Sequence, residues 1–142
     1  MNARPVSFLL AVALAACGDE ETESAPAPPT FAEVEAILDV RCTKACHSGG
    51  EFAAGGLDLQ HNAYDVLVGP PPTGVPCAGG EMGRVVPGSP EESLLYVKIA
   101  AKLDDTPAPC GDVMPPGANA APLDPEEVEL IRAWIAGGAP RD

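Results

Sequence analysis

The chain alternates short apolar patterns of helical spacing with long stretches that have no period at all. It opens on an apolar run, Val6–Ala16, and then turns abruptly polar over residues 18–29, GDEETESAPAPP. Helical spacing begins after Thr30. Glu33, three residues on, completes a capping box, and Val34, Ile37, Leu38 and Arg41 fall on one face. A second helix is predicted from Ser89, with Pro90 at its first position and Glu92 completing the box, followed by Leu94, Leu95, Lys98 and Ile99. A third starts at Asp124, with Pro125 and Glu127 in the same roles. Its stripe is Val128, Ile131, Trp134 and Ile135, and Gly137-Gly138 ends it. A weaker helix is predicted from about Gln60 to Val68. Segments 69–88 and 103–123, rich in Pro and Gly, are expected to be loops. No stretch carries a useful two-residue period, so the expected class is small and all-α, with three to four helices and long loops.

The first apolar run is too short to cross a bilayer as a helix, and Arg4 precedes it, which is the layout of a signal peptide. Its end, Leu14-Ala15-Ala16-Cys17, resembles a bacterial lipobox. The resemblance implies cleavage before Cys17, a lipid on that cysteine, and an exported chain tethered to a membrane. Gly18, where an aspartate often retains lipoproteins at the inner membrane, leans the expectation toward the outer membrane or the periplasmic face. The expected division is a signal peptide at 1–16, an acidic and Pro-rich tether at 17–29 that cannot bury enough apolar surface to fold, and one domain at 30–142.

Charge narrows the partners. The chain has 21 acidic residues against 8 basic ones, a net charge of −13, and loss of Arg4 with the signal makes the mature protein more acidic still. That excludes nucleic acid and docking on anionic headgroups as default readings. The domain is also poor in large side chains. Its aromatics are Phe31, Phe52, Tyr64, Tyr96 and Trp134, in a chain with 15 Gly and 17 Pro. A small core of this kind commonly depends on a staple or a cofactor.

Candidate chemistry follows the first helix: Cys42-Thr43-Lys44-Ala45-Cys46-His47. The usual covalent haem site is C-x-x-C-H, in which two thiols bond the haem vinyl groups and the histidine ligates iron. Here three residues separate the cysteines. Downstream come Gly56-Leu57-Asp58-Leu59, Val85-Val86-Pro87-Gly88-Ser89-Pro90-Glu91-Glu92-Ser93-Leu94-Leu95, Met114-Pro115-Pro116, and Leu130-Ile131-Arg132-Ala133-Trp134-Ile135 with Gly138-Ala139. In this order the set resembles a cytochrome c domain of the planctomycete type, over about residues 31–140. The resemblance implies first and last helices packed across each other beside one covalent haem c, with His47 as proximal and Met114 as distal ligand. A soft thioether on a proline-stiffened loop also suits an axial position on chemical grounds, although the same side chain would serve as a gap-filler under the loop. Met82 is the rival sulfur ligand, while His61 and Lys98 are weaker candidates and Trp134 is read as core.

With Cys17 assigned to lipid and Cys42 and Cys46 to haem, Cys77 and Cys110 remain, one in each long loop. An exported compartment permits them to pair. The expected function is then one-electron transfer with an unidentified redox protein. The sequence offers no paired carboxylates, nucleophile–base set or phosphate loop for other catalysis. Two other readings use the same residues: a haem-free surface lipoprotein with a Cys42–Cys46 disulfide, as a binding or structural module, and a zinc or copper site formed by Cys42, Cys46 and His47 with His61 or Met114.

Overall fold

The structure of the protein, a computed structural model, describes residues 27–75 and 77–142. The expected signal peptide, Cys17 and most of the expected tether lie outside the described residues. Among the described residues there are four α-helices and no β-strand. The helices are α1 (Phe31–Leu38), α2 (Ala63–Leu67), α3 (Leu94–Leu103) and α4 (Pro125–Ala136), and the all-α class follows. Two isolated bridges, Val68 with Val85 and Gly83 with Ser93, tie the long first loop down. No helix among the described residues is long and apolar enough to cross a membrane.

The capping boxes of α1 and α4 form as the sequence indicates. Glu33 accepts from the Thr30 backbone N–H at 2.8 Å, and Glu127 accepts from that of Asp124 at 2.9 Å. The predicted start at Ser89 does not hold. Pro90–Glu92 is a separate 3-10 turn, and α3 begins at Leu94 with Ser93 as its cap residue. The cause is tertiary. Ser93 is fully buried, and its hydroxyl donates to the Ser89 carbonyl (2.9 Å) while accepting from the Val86 N–H (2.8 Å). The first amides of α3, Leu94 and Leu95, donate to the carbonyls of Gly83 and Arg84. The weak fourth helix shrinks to α2, entered through Asn62 in the left-handed region (φ 53°).

The core lies where α1, α2, α3 and α4 meet. Phe31, Val34, Leu38, Leu67, Ile99, Leu123, Ile131, Trp134 and Ile135 are buried together. Phe31, Tyr64 and Trp134 bring α1, α2 and α4 into one aromatic cluster. The Phe31 and Tyr64 rings meet edge-on at 5.1 Å, and those of Phe31 and Trp134 lie 5.5 Å apart. Each polar tip is satisfied: Trp134 Nε1 donates to the Pro140 carbonyl (2.7 Å), and the Tyr64 hydroxyl to that of Ala139 (2.9 Å). Gly138, at φ 95°, makes the left-handed turn that folds the tail back to supply those carbonyls. A disulfide joins Cys77 to Cys110, with Cα atoms 5.4 Å apart, and so connects the two long loops.

Candidate functional site around Cys42, Cys46 and His47

The chemistry-bearing segment grows out of α1 through a widened turn. After Leu38 the helix continues as a π-helical turn, Asp39–Thr43. Thr43 is buried, and its hydroxyl donates to the Leu38 carbonyl five residues back, at 3.2 Å. The wide pattern is repeated one step on, because the Cys42 carbonyl accepts from both the Cys46 N–H (3.3 Å) and the His47 N–H (3.1 Å). A π-turn takes up one residue more than an α-turn. Cys42, the three gap residues, Cys46 and His47 thus lie on one turn closed on the Cys42 carbonyl.

His47 is anchored twice to the segment that follows. Its carbonyl accepts from the N–H of buried Leu59 at 2.8 Å, and its Nδ1 lies 3.0 Å from the Leu57 carbonyl. A carbonyl only accepts, so Nδ1 carries a proton, and in the neutral imidazole the lone pair is on Nε2. Asp58 secures the intervening loop by accepting from the N–H groups of Gly50 (3.0 Å) and Gln60 (2.9 Å).

The two cysteines are free thiols in unlike surroundings. Cys46 is exposed. Cys42 is half-buried and packs on the core, and burial pushes its thiol up to about 11, helped by Cys46 and Glu127 and opposed by Arg41. Arg41 ties this turn to the start of α4. Its Nε donates to both Glu127 carboxylate oxygens (3.0 and 2.9 Å), and its Nη2 to Glu127 (2.7 Å) and Asp124 (2.8 Å). The sequence marks Glu127 as a cap alone. Nothing local in the sequence signals a partner 86 residues away.

Met114 is half-buried and packs against the same core as Cys42. Its backbone N–H donates to the Lys98 carbonyl of α3 at 3.1 Å. Met82 lines a pocket beside the disulfide with Cys77, Leu94 and Cys110, and is not among the residues packed on the core. His61 is exposed, with Nδ1 3.3 Å from Asp58 Oδ2. The Lys98 ammonium is engaged by two backbone carbonyls, and Trp134 is fully buried core. Among the described residues, no group of three or more His, Cys, Asp and Glu side chains is gathered as metal ligands.

Among the described residues, two of the three exposed large apolar side chains flank the cysteine turn in sequence: Val40 (69% exposed) before it and Phe52 (93%) after it. The donor set fits a covalent haem. It offers two free thiols on one turn, an adjacent imidazole with a free Nε2, and a thioether on the core. The chain matches no protein-family model, no curated protein and no solved structure.

Proposed function

We propose that the protein is an exported, lipid-anchored, monohaem c-type cytochrome domain that carries single electrons to or from a redox protein. The observation that carries this reading is the state of His47. Its Nδ1–H is committed to the Leu57 carbonyl, and it sits on the same turn as two unpaired thiols. Metal-ligating histidines almost always donate their other ring N–H in this way, which fixes the tautomer and the ring orientation. Cys42 and Cys46 would bond the macrocycle, and His47 Nε2 and Met114 would ligate the iron.

The haem, when bound, supplies the one-electron chemistry. The chain supplies position and environment. Arg41 and Glu127 hold the cysteine turn to α4, the core behind Cys42 and Met114 keeps water from one side, and a neutral thioether favours the reduced form. Exposed Val40 and Phe52 provide apolar surface next to the attachment points. A domain with so few large side chains gains from an added apolar group there.

The test is a visible spectrum of protein made together with haem-attachment machinery. Sharp Soret and alpha bands that survive acid–acetone extraction are expected. His47→Ala should abolish incorporation. Met114→Ala should keep covalent haem, lose the far-red sulfur–iron band and have a lower potential. A colourless wild-type protein with a Cys42–Cys46 cross-link would establish the haem-free lipoprotein instead.

A further inference from the structure

We infer that Lys98 is a positioning residue for Met114, holding the ligand loop at three points from one helical position. This rests on the haem reading above and goes beyond it, because the sequence marks Lys98 only as a weak rival ligand. Lys98 stands midway along α3 and is half-buried. Its ammonium donates to the carbonyls of Cys110 (2.6 Å) and Asp112 (2.7 Å). Its own carbonyl accepts from the Met114 N–H (3.1 Å). The contacts therefore fall on 110, 112 and 114, alternate residues of one irregular loop segment. One turn later, the Lys102 ammonium donates to the Gly117 carbonyl at 2.9 Å, which continues the attachment past Met114.

The arrangement answers a physical need. A thioether is a neutral, weak ligand, and water or an added base replaces it unless the sulfur is held in place. The Cys77–Cys110 disulfide fixes the loop at Cys110 only. Between Cys110 and Met114 the backbone has no helical ladder, and Lys98 supplies the bonds that such a ladder would. Hydrogen bonds from a charged donor are the stronger kind, and here both donations are short. In this arrangement the Lys98 nitrogen is engaged with two backbone carbonyls of the loop, a placement that serves the loop rather than the iron.

The experiment uses the full haem-loaded protein and imidazole as the competing ligand for ferric iron. Lys98→Met keeps the apolar stem and removes the donors. Imidazole should bind this variant about tenfold more tightly or more, with a weakened far-red band and a lower potential. Lys98→Arg, which keeps donors of the same charge, should stay near wild type. Amide exchange at Met114 should quicken in Lys98→Met and not in Lys98→Arg. Unchanged imidazole affinity and far-red band in Lys98→Met overturn the inference. If that variant does not fold, Lys98→Gln is titrated in the same way, and wild-type affinity there overturns it equally. A colourless wild-type protein removes the haem reading and this inference with it. A coloured wild type with an unaffected Lys98→Met removes this inference alone.

Discussion

Replacing Cys77 and Cys110 together by serine removes the one covalent link between the two long loops. The folded state has reasons to survive the change. The Cys110 carbonyl is still held by Lys98, and Arg84, which donates to the Val66 carbonyl and the Thr73 hydroxyl, still braces the first loop. The effect therefore falls mainly on the unfolded chain, which regains the freedom of a loop with sequence separation 33. On the chain-entropy account that freedom is worth about 4 kcal/mol at 25 °C. Urea unfolding reads it directly. With a slope of about 2 kcal/mol per molar, the midpoint should fall by about 2 M. Wild-type protein treated with reductant should unfold at the same lower midpoint. Both samples must carry the same haem load, since a bound group adds its own stabilisation. A drop of less than about 0.5 M would refute the argument, because the loops would then be held close in the unfolded chain by something other than sulfur.

Three further outcomes are expected. Ser93→Ala removes a fully buried hydroxyl and leaves the part-buried Val86 N–H without its acceptor, and should cost about 1–3 kcal/mol by thermal or urea unfolding, with the helical signal retained. The bonds from Arg41, and then that from the Asp124 backbone, hold the Glu127 carboxyl below its usual range. Its contribution is complete above the unfolded carboxylate value and is lost as pH falls through the lower folded one. The stability gap between wild type and Glu127→Gln should thus be widest near neutrality and close toward acid, as urea midpoints along a pH series will register. Cys17→Ser should accumulate uncleaved precursor that fails to partition into detergent; a mature product of unchanged mass would sink the lipoprotein reading.

How far the sequence could be read depended on the range of the interactions concerned. The boxes Thr30/Glu33 and Asp124/Glu127 are contained within four residues each, and both form where the pattern puts them. The same pattern at Ser89/Glu92 misleads, because the Ser89 and Glu92 amides donate instead to the Val86 and Ser89 carbonyls, while Leu94 and Leu95 donate to Gly83 and Arg84 and start the helix later, a competition set by tertiary packing. The cysteine turn shows both cases at once. The residue types of Cys42, Cys46 and His47 were plain from spacing. The π-turn that leads into Cys42, with buried Thr43 bonded back to Leu38, and the imidazole's partner, a backbone carbonyl, are encoded by no side-chain pattern. Arg41 could be placed on the apolar face of the first helix but not paired, and Lys98 could be placed on the next helix but not given its two carbonyls.

Trp134 is the only tryptophan in the chain, fully buried against Phe31 and Tyr64 in the core that also backs Cys42 and Met114. The domain therefore contains a single indole fluorophore, which excitation at the red edge separates from Tyr64 and Tyr96. In haem-free protein its emission is that of an indole out of water, and exposure on unfolding shifts it to the red. A porphyrin bonded within so small a domain would quench it by energy transfer. Loss of light on haem attachment, and its return on unfolding as the two are pulled apart, would follow loading and stability in one cuvette with no label introduced.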